Sequence, residues 1–281
     1  MATIINNVFH QETTTERYFK NLPINTTDEN AAFTAILEKT YNQLLLIIAR
    51  HPRVIIVRLE LHPANIDRID VDIPEFCRSF SRKLSTKSLG KKKGYNSKIA
   101  YGWVRETGRG NHNNGIHWHI WVALKKPRDL KPFTHAERVQ DEILNSWEKY
   151  AGGPNSRNHR TCFFLIQRSK LTYDLRLRQQ QAIADNPLNP KDVLISSGII
   201  KTRRNSRDKV VGGVIDECFY ALSYLAKVFS KVPKVKGQRL FASSNLNTKD
   251  NKKGRQEIIE ATLEEIHKHL SIKLSPMPVK Q

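Results

Sequence analysis

The chain has 281 residues, 39% hydrophobic and 8% aromatic, which is enough for one large domain or one domain with substantial additions and argues against wholesale disorder. Lys and Arg number 47 against 27 Asp and Glu, a formal charge of +20 that calls for a polyanionic partner, nucleic acid first and an anionic membrane surface second. No apolar run approaches the roughly 20 residues of a bilayer span, and the N-terminus lacks a basic-then-apolar secretory start, so no membrane partner is expected. Cys77, Cys162 and Cys218 are odd in number and lack zinc spacing, which reads as reduced cytosolic thiols.

Residues 1–25 read as a poorly ordered arm. A helix follows, with Thr26 and Glu29 as a capping box, Phe33, Ile36, Leu37, Leu44 and Ile47 at helical spacing, and His51-Pro52 as its end. Val54 to Leu61 (VIIVRLEL) is a strand rich in β-branched residues, and Asp72 to Leu84 is a helix entered through Pro74. No acidic residue lies between Arg78 and Arg105, whereas lysines accumulate from Lys83 to Lys98; the stretch is a solvated loop or a phosphate-contacting one. Ile99 to Glu106 and Ile116 to Leu124 are strands, and the Gly- and Asn-rich link TGRGNHNNG suits a hairpin. A helix from Thr134 to Tyr150 has a second capping box, Thr134 with Glu137, and an apolar face of Val139, Ile143 and Trp147; Gly152-Gly153-Pro154 stops it. Thr161 to Gln167 and Gly198 to Thr202 read as short strands, 178–192 as loop, and Gly213 to Phe229 as a helix. A basic irregular stretch, 231–256, precedes a last amphipathic helix, Gln256 to Lys273, with Ile259, Leu263, Ile266 and Leu270 on its apolar face. The mixture, with an antiparallel hairpin near its centre, argues for α+β.

His117-Trp118-His119 lies on the second hairpin strand. Residues two apart on a strand share a face, so both imidazoles point one way while Ile116, Trp118, Ile120 and Val122 pack on the other. Two imidazoles so placed make a natural metal site. Glu106 ends the partner strand and can complete a three-ligand centre; its plainer role is a surface partner for Arg105 or Arg109. His267-Lys268-His269 has the same spacing, but on a helix such residues do not face each other, and that pair reads as solvent-exposed.

In FYALSYLAK, Tyr220, Tyr224 and Lys227 fall at i, i+4 and i+7 of the expected helix, on one face that Lys231 extends. Ile215, Phe219, Leu222, Ala226 and Phe229 make the opposite, core-facing stripe, so packing is supplied without either tyrosine. A phenol with a pKa near ~10 is a weak nucleophile at neutral pH, and a nearby ammonium stabilises its phenolate.

An upstream glutamate, a histidine–hydrophobic–histidine strand and a downstream Tyr-x-x-x-Tyr-x-x-Lys helix, in that order, resemble the HUH endonucleases. More closely, they are similar to the replication endonucleases of filamentous phages and related prophages, the inovirus gene-II-type family. The resemblance covers roughly residues 54–245 and is carried by WVRE ending at Glu106, GIHWHIWV, FYALSYLAKV and the basic KVKGQRLFASSN. The two motifs together are specific; neither is alone. VIIVRLEL occupies the place of the family's first motif, matches it loosely, and is given a structural role only.

The resemblance implies a central antiparallel sheet flanked by helices, with the histidine strand in the middle and the tyrosine helix beside it. The expected divisions are an N-terminal arm and helix (1–50), an endonuclease domain (51–245), and a basic linker with a C-terminal helix (246–281). His117, His119 and Glu106 would hold Mg²⁺ or Mn²⁺, although imidazole chemistry alone leans to Mn²⁺ or Zn²⁺. Tyr220 and Tyr224 would be the nucleophiles, Tyr224 the favoured one if only one is essential, with Lys227 at a phosphate oxygen or at the phenolate. The implied activity is single-strand nicking and rejoining through a 5′-phosphotyrosine, by a phage or prophage product in the bacterial cytoplasm. Its partners would be single-stranded or supercoiled origin DNA and a host helicase and polymerase. The basic segments 78–98, 201–209 and 227–239 would position DNA. No Gly-x-x-x-x-Gly-Lys-Ser/Thr loop is present, so no fused helicase is expected. The competing readings are an HUH transposase, a conjugative relaxase, a non-catalytic prophage DNA-binding protein and a zinc module. Relaxases usually carry the tyrosine near the N-terminus and a third metal-binding histidine, whereas here the tyrosines follow the histidines and no third histidine is expected to cluster with the pair.

Overall fold

The structure is a computed structural model and describes residues 12–27, 30–64, 71–86, 98–107, 115–127, 131–151, 161–168, 214–228, 240–249 and 253–271. In chain order these form β1 (Thr13–Thr14), β2 (Tyr18–Phe19), β3 (Leu22–Pro23), β4 (Ala32–Phe33), α1 (Thr34–Arg50), β5 (Arg53–Leu61), α2 (Ile73–Thr86), β6 (Ile99–Thr107), β7 (Ile116–Lys125), α3 (Pro132–Ala151), β8 (Cys162–Gln167), α4 (Val214–Ser223), a 3₁₀ turn (Tyr224–Ala226), β9 (Phe241–Ser243) and α5 (Lys253–Leu270). The fold is α+β: β8-β5-β7-β6-β9 make a five-strand antiparallel sheet flanked by helices. No helix among the described residues is long and apolar enough to cross a membrane.

Strand alternation divides the core in two. On one face Ile55, Val57, Leu59, Trp103, Trp118, Ile120 and Val122 pack against α2 and α3 through Phe76, Phe80, Val139, Ile143 and Trp147. On the other, Val54, Ile56, Ala100, Val104, Trp121, Ala123 and Phe164 pack against α1, α4 and α5 through Leu44, Phe219 and Ile266. Gly102 sits directly across from Trp121, and a Cβ there would lie 2.6 Å from the indole Nε1, so the strand needs glycine for this close approach. The C-terminal helix shares this core: Ile266 and Leu270 are buried in it, and the Leu270 carbonyl accepts a 2.6 Å hydrogen bond from Asn21 Nδ2.

The expected helices and the antiparallel strand pair form, and several of their bounds differ. The arm is ordered from residue 12, with β1 paired to β4 and β2 to β3. The first helix therefore starts at Thr34, not after Thr26. Phe33 is extended and paired with Thr13, and the Thr26 hydroxyl donates to the Glu16 carbonyl (2.6 Å) instead of capping a helix. Thr134 lies within the first turn of α3, because Pro132, whose missing N–H costs nothing at a helix start, already begins it. The basic stretch 231–256 is not wholly irregular, since β9 adds to the sheet edge and α5 starts at Lys253. Of the second histidine pair, His267 is exposed and stacks on Tyr41 at 6.1 Å, but His269 is half-buried. The expected strand 198–202, the loop 178–192, the basic segment 201–209, Phe229 and Lys231, most of the hairpin link and most of the basic segments 78–98 and 227–239 lie outside the described residues.

Candidate metal centre and its tyrosine

Antiparallel register sets the centre. Glu106 on β6 is directly across from His117 on β7, and Glu60 on β5 is directly across from His119. Alternation sends these side chains to the sheet face shared with α1 and α4, at the end where β5 and β6 finish and β7 begins. The apolar layer of that face stops at Val104 and Trp121, and polar groups take its place.

His119 Nε2 lies 3.2 Å from Glu106 Oε2 and His117 Nε2 lies 3.9 Å from it. One ligand atom from each of Glu106, His117 and His119 falls within 4.8 Å of the other two. All three are buried, Glu106 at 1% exposure. Burial drives His119 down to about 4 despite the adjacent Glu106 carboxylate, and drives His117 below the ordinary histidine value. Both rings are therefore neutral near pH 7, the form that ligates metal. Neither ring nitrogen of His119 makes an aligned hydrogen bond among the described residues. Buried ligand atoms converging in this way could bind a metal ion.

A third histidine joins the pair, contrary to the sequence expectation. His62, just past β5, stacks on His117 with ring centroids 5.1 Å apart and planes 15° from parallel. Its Nε2 meets Glu60 Oε1 at 2.9 Å, and its carbonyl accepts from Trp147 Nε1 at 2.7 Å. Burial raises the Glu60 carboxyl, but the His62 hydrogen bond and the imidazoles of His119 and His117 outweigh it and bring it down to about 2. VIIVRLEL thus brings Arg58 and Glu60 to the centre. Arg58 and Glu60, two residues apart on an otherwise apolar strand, were the available signal, because two charges on one face of a central strand must reach something polar.

The tyrosine face is corrected. The α-helix ends at Ser223, Tyr224 to Ala226 form a 3₁₀ turn, and Lys227 leaves it extended to pair with Ala32. The chain leaves the helix because its backbone is claimed by the N-terminal strand: Val228 N–H donates to the Ala31 carbonyl at 3.0 Å. Tyr220, Tyr224 and Lys227 therefore do not share one continuous α-helical face. The turn instead carries Tyr224 onto the centre. Its ring stands edge-on to His119 with centroids 5.2 Å apart, and Lys227 Nζ lies 4.5 Å from the Tyr224 centroid. Tyr220 is half-buried one turn earlier, where its carbonyl accepts the Ser223 hydroxyl at 2.8 Å.

Neither any known family profile nor any curated protein sequence matches this chain. The centre unites five of the six residues singled out in the sequence: Glu106, His117, His119, Tyr224 and Lys227. It adds Arg58, Glu60 and His62.

Proposed function

We propose that this protein is a metal-dependent DNA-nicking and strand-joining enzyme of the HUH type, with Tyr224 as nucleophile, acting as a rolling-circle replication initiator. The observation that carries this reading is the 5.2 Å approach of the Tyr224 ring to His119, a residue of the three-ligand group. Glu106, His117 and His119 would hold Mg²⁺ or Mn²⁺, which polarises a phosphodiester and offsets charge on its oxygens. The Tyr224 hydroxyl attacks phosphorus, the O3′–P bond breaks, and the 3′-oxygen leaves as a hydroxyl with the proton the phenol gives up. The product is a 5′-phosphotyrosine, which conserves the phosphodiester energy for rejoining. Lys227 favours the phenolate by its charge. Tyr220, one turn back, is the candidate for a second attack that closes a displaced circle. The formal charge of +20 suits a DNA substrate, an origin in single-stranded or supercoiled form. A host helicase and polymerase in a bacterial cytoplasm would complete the cycle of such a phage or prophage element.

His62 favours a second reading. Three clustered histidines are also what a relaxase-like strand transferase uses, and the substrate separates the two: a supercoiled phage or prophage replication origin, or the transfer origin of a conjugative element.

Incubation with labelled single-stranded origin DNA and Mn²⁺ or Mg²⁺ is expected to give a covalent adduct that survives denaturation, is absent with EDTA, and is lost in Tyr224→Phe. Adduct formation by a Tyr220→Phe, Tyr224→Phe double variant would refute the nucleophile.

A further inference from the structure

Tyr224 carries two cations, and the Tyr-x-x-Lys spacing accounts for only Lys227. The other is Arg58, whose Cζ lies 4.6 Å from the same ring centroid. Arg58 comes from β5, a strand whose apolar residues supply both faces of the core. It is directly across from Trp121, one step along the sheet face from the Glu60–His119 pair. A leucine or valine there would continue the apolar layer. The guanidinium Nε is buried and meets no hydrogen-bond acceptor among the described residues. Glu60, two residues on and on the same face, gives its Oε1 to His62. A buried cationic donor left without an acceptor is costly, so its acceptor is expected to arrive with a ligand. Between a three-ligand metal group and a tyrosine, an anion fits that place. A planar guanidinium matches phosphate oxygens better than an ammonium does.

We propose that Arg58 is a second phosphate-binding residue of the centre, holding the Tyr224 ring by its cation–π contact and offering its unmatched N–H to a non-bridging oxygen of the phosphate that Tyr224 attacks. That the phosphate belongs to a DNA backbone rests on the nicking reading above; that an anion binds here does not. In the reaction, Arg58 would stabilise charge spreading over the phosphate oxygens from the side of the tyrosine. Loss of one such fixed donor typically slows a reaction about 10²–10³-fold.

The test uses the full chain loaded with Mn²⁺ and inorganic phosphate as the probe. Broadening of the ³¹P line by the bound ion reports phosphate held beside it, and free Mn²⁺ measured by electron paramagnetic resonance reports metal affinity. Arg58→Gln is expected to weaken phosphate about tenfold, the scale of one charge-assisted hydrogen bond, with Mn²⁺ affinity unchanged. Arg58→Lys is expected to recover part of the loss. Phosphate binding equal to wild type in Arg58→Gln overturns the proposal, and so does a parallel loss of Mn²⁺, which would make Arg58 a structural residue. Adduct formation on single-stranded DNA is measured on the same variants. Arg58-dependent phosphate binding in a wild-type protein that forms no adduct refutes nicking and leaves the anion site standing. Adducts formed equally fast by wild type and Arg58→Gln leave nicking standing and refute the role of Arg58.

Discussion

The two faces of β7 differ in what they do with the same alternation. Toward α2 and α3, Trp118, Ile120, Val122 and Leu124 make an unbroken apolar row. Toward α1 and α4, Trp121 and Ala123 pack in the core, while His117 and His119 leave it for the buried centre with Glu106. One face is packing from end to end; the other is packing at one end and a candidate metal centre at the other. The centre is therefore the end of a core layer rather than a graft on a loop. Its ligands inherit the rigidity of three paired strands, which is what a preformed metal site needs.

The largest expected effect lies on the packing face. Phe80 is fully buried between Phe76 and Tyr101, and Phe80→Ala should cost about 3–5 kcal/mol in urea unfolding while leaving Mn²⁺ affinity of the folded protein unchanged. The reverse is expected for His117→Ala with His119→Ala. Mn²⁺ affinity should fall by more than about 100-fold, since even outer-shell changes cost about 10–100-fold, with little loss of stability in the metal-free protein. An equal response of both readouts to both variants would erase the distinction between the faces. Gly102→Ala sharpens it within the second face. The added Cβ, 2.6 Å from Trp121 Nε1, should cost about 1–3 kcal/mol by overpacking.

An effect that depends on pH is expected at the far end of the sheet. Burial pushes His51 down to about 3, and the charges of Arg255, Lys125, Arg50 and Arg168 add to it. The unfolded state takes up this proton near pH ~6.5 and the folded state only near 3, so stability falls as pH drops between them. His51→Gln should flatten that slope by up to about 1.4 kcal/mol per pH unit and leave metal binding at neutral pH as it is, as read from urea midpoints between pH 7 and 4.

The strongly patterned elements were legible in the sequence. The β7 alternation separated Trp118 and Ile120 from His117 and His119, and the end of β6 put Glu106 within reach. Strands of two or three residues, such as β1 and β9, carry no period to read. The break at Tyr224 was hidden because Tyr-x-x-x-Tyr-x-x-Lys looks alike in an α-helix and in a helix that tightens. What decides is the pairing of Lys227 with Ala32, nearly two hundred residues away in sequence, a tertiary contact. Arg58 and Glu60 lie on a strand whose loose motif match reads as structural, and His62 stands just past its end. Their shared face was visible, but what it faced was not.

The central claim is that a cation on Glu106, His117 and His119 sits beside the Tyr224 phenol. It can be tested without substrate by labelling the 8 tyrosines with 3-fluorotyrosine, assigning the Tyr224 ¹⁹F line through Tyr224→Phe, and adding stoichiometric Mn²⁺. That line is expected to broaden most, while the line of Tyr150, on the opposite face of the sheet, stays sharper, with the effect lost in His117→Ala, His119→Ala. A Tyr224 line that remains sharp with Mn²⁺ bound would contradict it.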